Sequence, residues 1–409
     1  MKSESVTEAV PNALIWQLED TSRGVVIFGA GVIAELVLCA LRKRGVKVVA
    51  VGDNNTEKQG KLLRDIPICA PENLKMIDKD TPVMIASVYP DAIVGQLKRY
   101  GFKEFYACTP WLEGLDWRAC GVTGTEEEIG RATDLYRFTY QARDDPIGCY
   151  FKSLDVVVTE RCSLKCRDCA NLMQYYQKPR DCSLQTLFLS VERLMGAVDH
   201  LFEFRVLGGE PFLVRDFSVI VEELIRYRNF SYIIIYTNGT VIPTGTNLEC
   251  LRDPRISVHI SNYGEISRRI PEIVNSFKRL GISYRVLEVN QWQDCGDIYL
   301  RNRGAGPLAE VFSNCCVSDT FTLLQGELHR CPFTAHAVNL GAIPRVDREI
   351  VPLTDESILP GDLRRQVKLF CRVRDSIPAC AYCGGRDFGH ADIPPAVQIT
   401  FPRPLRSKL

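Results

Sequence analysis

The chain has no surplus of either charge: fifty Lys and Arg offset fifty Asp and Glu across 409 residues. A protein that holds nucleic acid or an anionic membrane by general electrostatics needs a basic excess, so no nucleic-acid partner is expected. No apolar run is long enough to span a bilayer, so no membrane partner is expected either. The opening Met1-Lys-Ser-Glu-Ser-Val lacks the apolar core of a secretory signal. The 17 cysteines then point to a reducing, cytoplasmic setting and metal clusters, not to a disulfide framework. An apolar fraction of 46% and a charged fraction of 24% are ordinary for a globular chain, and this length suggests two or three domains.

Residues 1–22 read as a flexible, polar N-terminus. A first domain is expected over 23–115. It opens with an apolar strand, Val25 to Phe28, then Gly29-Ala-Gly31-Val-Ile-Ala34, a helical stretch to Arg44 and a second strand ending at Gly52-Asp53. This is a βαβ unit with a Gly-x-Gly-x-x-Ala turn and an acidic residue 22 positions after Gly31. Gly29 and Gly31 would admit a phosphate to the helix N-terminus, and Asp53 would accept hydrogen bonds from a ribose. The alternative is a structural or assembly domain. Residues 116–150 read as a helical connector, with a capped start at Thr123-Gly-Thr-Glu-Glu-Glu-Ile.

Over 151–300, strands and helices alternate, which predicts a parallel sheet. Strands are expected at Leu154 to Thr159, Phe202 to Leu207, Tyr232 to Tyr236, Ile256 to Ile260 and Ser283 to Leu287, with a sixth not visible. The run Cys162-Ser-Leu-Lys-Cys166-Arg-Asp-Cys169 follows the first strand directly. Close cysteine spacing lets one loop wrap a four-iron cluster, and three thiolates leave one iron open. A zinc site or buried free thiols are the plain alternatives. Gly208-Gly209-Glu210-Pro211 ends the second strand, Thr237-Asn238-Gly239-Thr240 the third and Ser261-Asn262-Tyr263-Gly264 the fourth.

The cysteine spacing and the two motifs that follow it resemble those of the radical S-adenosylmethionine (SAM) enzymes. The resemblance implies a partial (β/α)6 barrel with its site at the strand C-termini. Cys162, Cys166 and Cys169 would hold a [4Fe–4S] cluster that also binds SAM. Gly208, Gly209, Glu210 and Pro211 would position the methionyl amine, with Asn238, Ser261 and Asn262 as further SAM contacts. For Ser261 and Asn262 a polar strand-end turn is an equal reading. Where many members carry an aromatic residue before the third cysteine, this chain has Asp168.

A second cysteine set lies in 301–395. Cys316, nine residues, Gly326, four residues and Cys331 read as a hairpin, followed later by Cys380-Ala-Tyr-Cys383. Alone this is compatible with structural zinc. Beside the first motif it resembles the twitch domain, the short form of the SPASM domain, which carries one auxiliary [4Fe–4S] cluster. Cys315 and Cys371 are possible substitutes for a ligand. The other cysteines, among them Cys39 and Cys120, read as ordinary buried residues, and 396–409 as a basic tail, disordered or a docking segment.

The expected fold is therefore α/β: a Rossmann-like domain, a partial barrel and a small iron–sulfur domain. The N-terminal unit resembles degenerate domains fused to nucleotide-sugar-modifying proteins. The expected activity is hydrogen abstraction from a carbohydrate, aminocyclitol or nucleotide-sugar substrate, with oxidation, epimerisation or elimination to follow. The twitch pattern is similar to that of 2-deoxy-scyllo-inosamine dehydrogenase, an alcohol-oxidising member. A flavodoxin or ferredoxin is the electron donor the resemblance implies. A peptide-modifying enzyme and a non-catalytic iron–sulfur scaffold are the alternatives. No catalytic acid or base is selected by spacing.

Overall fold

The computed structural model describes residues 14, 18, 20–372, 376–386 and 391–405, so most of the expected N-terminal tail lies outside the described residues. The chain forms two compact units, Met1–Ile147 and Gly148–Leu409.

In the first unit the strands are β1 (Val25–Phe28), β2 (Val48–Gly52), β3 (Leu62–Leu63), β4 (Ile66–Cys69), β5 (Val83–Ile85) and β6 (Phe105–Ala107). They order as β3-β4-β2-β1-β5-β6, parallel except for the β3–β4 hairpin. β1 and β5 are wholly buried, the continuous apolar pattern of strands covered on both faces. The helix Val32–Lys43 follows β1 as the sequence predicts. The helix Glu126–Asp144 begins with a reciprocal Thr125–Glu128 capping box. Its Tyr136 and Tyr140 hydroxyls both donate to the carbonyl of Ile85, at 2.8 and 2.9 Å. The expected connector is thus part of this unit's core. Cys39 and Cys120, read from sequence as ordinary buried thiols, are joined in a disulfide. Sequence spacing could not show it, because the partners are 81 residues apart.

The second unit is built on β7 (Tyr150–Thr159), β8 (His200–Gly208), β9 (Phe230–Thr237), β10 (Ile256–Asn262) and β11 (Tyr284–Glu288). Two short strands, β12 (Trp292–Gln293) and β16 (Asp392–Ile393), pair with each other. β13 (Thr320–Leu324), β14 (Glu327–His329) and β15 (Ile350–Pro352) complete an eight-stranded sheet, ordered β11-β10-β9-β8-β7-β13-β14-β15. β7 to β11 are parallel, each adding beside the last, as helices cross between them. The sixth parallel strand is β13, which adds on the opposite side of β7 from β8. It was not legible as a barrel strand because it lies inside the segment carrying the second cysteine set. Helices Leu184–Ala197, Phe217–Ile225, Ile270–Leu280 and Pro360–Arg372 pack their apolar faces on this sheet. Among the described residues no helix is long and apolar enough to cross a membrane.

Candidate functional site

Three loops gather at the C-terminal ends of β7, β8 and β9. The cysteine loop leaves β7 at Thr159, whose hydroxyl donates to Asp181 at 2.6 Å, and Arg161 holds the same carboxylate through two bonds at 2.8 and 2.7 Å. The loop after β8 is fastened directly to it: Gly209 N–H donates to Thr159 O at 2.9 Å and Glu210 N–H to Arg161 O at 2.8 Å. Contact at Gly209 is so close that a β-carbon there would lie 2.1 Å from Arg161 O and 2.8 Å from the Cys162 β-carbon. Glycine is required here by proximity to the cysteine loop.

Glu210 has no exposed surface. Its carboxylate accepts from the Thr237 hydroxyl at 2.9 and 3.0 Å, from Asn238 N–H at 2.8 Å and from Phe212 N–H at 3.2 Å. Burial pushes its carboxyl up to about 7, against the pull of those donors. The side chain therefore braces the end of β8 against the end of β9, and its carboxylate is committed to that work. Pro211 starts the short helical turn that follows. Asn238 reaches back across the same gap: its amide donates to Ser163 Oγ at 3.0 Å and approaches Cys162 Sγ at 3.6 Å. Ser267 joins β9 to β10 by donating to the carbonyls of Asn238 and Ser261. Asn262, a predicted contact, is held by Glu288, with both carboxylate oxygens 2.9 Å from its amide nitrogen.

The thiols of Cys162, Cys166 and Cys169 feel one another's charge, and burial pushes all three up, Cys166 to about 11. Thiols in that state ionise when a metal is there to take the thiolate. Three thiols are the donor type that a soft, thiolate-bound cluster takes. Tyr263, beyond β10, also faces this group: burial and the three sulfurs push its phenol up to about 12. Its ring packs edge-on against Trp292, with centroids 5.6 Å apart. Asp168 is turned to Arg167, at 2.9 Å, and Arg403. The tail, expected to be disordered or a docking segment, instead pairs with the cysteine loop: Arg167 N–H donates to Val397 O and Ile399 N–H to Lys165 O. Only residues 406–409 of it lie outside the described residues.

Part of the second cysteine set also lies together. Cys315, Cys331, Cys380 and Cys383 line one cavity, together with Arg330, Thr334 and Arg386. Cys316, placed in this set from sequence, is an exposed residue that does not line this cavity, although it lies within the field of Cys315 and of Arg386. Adjacent residues on an irregular segment point differently, so spacing from Gly326 fits either cysteine and cannot choose. Cys371 is also apart, a free thiol within hydrogen-bonding reach of the Cys149 thiol. Arg386 is buried and lies within the field of Cys315, Cys331 and Cys383 as well as Cys169. Among the described residues no three Cys, His, Asp or Glu side chains close around a single metal-ion position. The four thiols border a shared space instead.

Sequence reasoning missed a polar row inside the sheet. Asp155 of β7 lies opposite Arg205 of β8, carboxylate to guanidinium 3.2 Å, and burial lifts the Asp155 carboxyl to about 6. Arg205 sits over the Tyr236 ring at 5.0 Å, and that ring meets His259 edge-on. A charged residue within the apolar run of β7 was the available signal.

In the first unit, Gly29 ends β1 and Gly31 caps the following helix. The Asp53 carboxylate accepts from Ala30 N–H at 2.7 Å and Asn55 N–H at 2.8 Å, and pairs with Lys58.

Comparison with known proteins gives partial matches. Residues 21–105 match the family described as C2185-like, N-terminal. A 100-residue stretch is 29% identical to GTP 3′,8-cyclase of Campylobacter jejuni (strain RM1221), covering 24% of this chain and 31% of that protein. The chain thus spans about a third of that curated relative. Among solved structures, BtrN in complex with AdoMet and 2-DOIA is 16% identical over 57% of this chain and 93% of that one, with a TM-score of 0.40. The anSMEcpe structure with bound AdoMet and Cp18Cys peptide is 24% identical over 35% of this chain and 44% of that one, TM-score 0.29.

Proposed function

We propose that the chain is a radical SAM enzyme that abstracts hydrogen from a carbohydrate, aminocyclitol or nucleotide-sugar substrate. The observation that carries this reading is the fastening of Gly208-Gly209-Glu210 to the Cys162–Cys169 loop at the C-terminal ends of neighbouring parallel strands, where such sheets keep their ligand sites. A [4Fe–4S] cluster held by Cys162, Cys166 and Cys169 would supply the electron that splits SAM into methionine and a 5′-deoxyadenosyl radical.

Each named residue then has a task. The backbone of Gly208 and Gly209 offers polar groups beside the cysteine loop, where a methionyl amine would be held. Glu210 keeps the β8 and β9 ends in register and leaves Asn238 facing the loop. Tyr263, backed edge-on by Trp292, would supply an aromatic ring near the three sulfurs, where Asp168 supplies none. Asp155 and Arg205 supply charged groups within the sheet for a polar substrate. Cys315, Cys331, Cys380 and Cys383 would hold an auxiliary cluster, closed to substrate by four thiolates. The first unit, with its parallel sheet and Gly-rich turn, would serve a nucleotide-containing ligand.

The test is 5′-deoxyadenosine formation by the anaerobically reconstituted protein with SAM and reductant. Stimulation by nucleotide-sugar pools supports the carbohydrate reading. Stimulation by peptide pools alone would move the proposal to peptide modification. A loaded cluster with no product under any condition would reduce it to a scaffold.

A further inference from the structure

We infer that the C-terminal strap 396–403 is a working part of the first cysteine site, and that Gln398 sets the reduction potential of a cluster bound there through an N–H···S bond to Cys166. This rests on the reading that Cys162, Cys166 and Cys169 hold a cluster.

The amide of Gln398 is fixed on three sides. Its nitrogen donates to Cys166 Sγ at 3.3 Å and to Ala396 O at 2.6 Å, using both hydrogens. Its oxygen accepts from Lys165 N–H at 2.8 Å, which settles the orientation of the amide. The backbone on either side is paired with the cysteine loop in antiparallel fashion, by Arg167 N–H to Val397 O at 2.7 Å and Ile399 N–H to Lys165 O at 2.8 Å. Further on, Arg403 N–H donates to Gln174 O at 2.7 Å, and its guanidinium pairs with Asp297 at 2.8 Å and covers the Tyr175 ring. The strap is thus anchored at both ends of the loop, and Cys166 is left only 8% exposed.

A donor to a ligating sulfur stabilises the more negative, reduced cluster more than the oxidised one, and burial of the same sulfur limits water's share of that work. Gln398 is therefore a positioning and tuning residue, supplied from more than 220 residues beyond its target, as the Gln398–Cys166 separation of 232 shows.

The experiment is a redox titration, followed by electron paramagnetic resonance, of the reconstituted full chain and its Gln398→Ala and Gln398→Leu variants, reading the signal that changes when SAM is added. At a fixed poise, the ratio of reduced to oxidised cluster should fall about tenfold in both variants, the differential that one charge-assisted hydrogen bond supplies, with iron content unchanged. An unshifted midpoint with the SAM-responsive signal intact overturns the inference and leaves the enzyme reading standing. Hydrogen exchange on the unsubstituted protein provides a check that no variant can spoil. The Arg167 and Ile399 amides should be protected, and exchange at the rate of free peptide would overturn the strap. Absence of any SAM-responsive cluster signal in the unsubstituted protein would instead count against the enzyme reading, while the exchange experiment still decides the strap.

Discussion

The two cysteine sets are built in opposite ways. Cys162, Cys166 and Cys169 come from eight consecutive residues on one loop, and the fold adds braces: Gly209 beneath it, Asn238 beside Cys162, Gln398 over Cys166. Cys315, Cys331, Cys380 and Cys383 come from a loop, a helix cap and a helical turn, and only the fold makes them neighbours. Cysteines that share one loop advertise their neighbourhood in the sequence, whereas cysteines brought together at long range do not.

The largest expected effect tests the first set alone. Cys166→Ala should reduce 5′-deoxyadenosine formation to background in a product assay, because two thiolates do not hold a cubane. Normal product from that variant would falsify the assignment. The second set is then sharpened by a pair of neighbours. Cys315→Ala should lower iron from about eight to about four atoms per chain while sparing the SAM-responsive signal; Cys316→Ala should leave iron content unchanged. If the two variants exchanged places, the cavity lined by Cys315 would not be the metal site.

How much could be read beforehand follows the same division. β1, β2 and β7 to β11 fell where apolar runs predicted strands, because β1 and the middle of β7 are buried on both faces and must be continuous in character, whereas the short β3 to β6 were not read beforehand. The motifs holding Gly209, Glu210 and Asn238 could be picked out, but not the bracing contacts of Glu210. Nothing in Gly-Gly-Glu-Pro says that its carboxylate is spent on Thr237 and Asn238. Gln398 and Arg386 were invisible, and Tyr263 was quoted only as part of a strand-end motif, since each acts on a residue far away in sequence. β13 was read as part of a separate small domain, because hairpin spacing does not reveal that one arm pairs with β7.

The braces of the first set give the next contrast. Gly209→Ala drives a β-carbon into the backbone of Arg161, which has no rotamer with which to yield. We expect a loss of about 3 kcal/mol in denaturant unfolding, together with poor cluster loading. Glu210→Gln keeps the size but replaces an acceptor with an NH2 that faces a donor. A loss of about 1–3 kcal/mol is expected. Its pH signature is distinctive. The folded protein holds the Glu210 proton up to about 7, above the ordinary 4.5, so this residue's contribution is full below 4.5 and fades as pH rises through 7. In the Gln variant that slope should vanish. An unchanged slope would mean that another group, not Glu210, carries the proton.

The smallest effect belongs to the second set, and it measures how tolerant a long-range site is. Gln325 and Gly326 form the two-residue turn between β13 and β14, both with positive φ, 51° and 88°. An alanine at 326 keeps the strained backbone and places a β-carbon 2.8 Å from the Thr354 methyl and 3.1 Å from that of Thr186. Unlike Arg161 O, these are side-chain ends that rotation can move, so the cost should be close to that of the backbone alone, about 1–2 kcal/mol. Gly326→Ala should therefore unfold at a modestly lower denaturant midpoint and still load both clusters, since Cys315 and Cys331 are positioned by the segments beyond the turn. A loss equal to that of Gly209→Ala would show that the hairpin turn constrains its cysteines as tightly as the first loop is held by its glycine, and the contrast between the two sets would then lie only in the sequence.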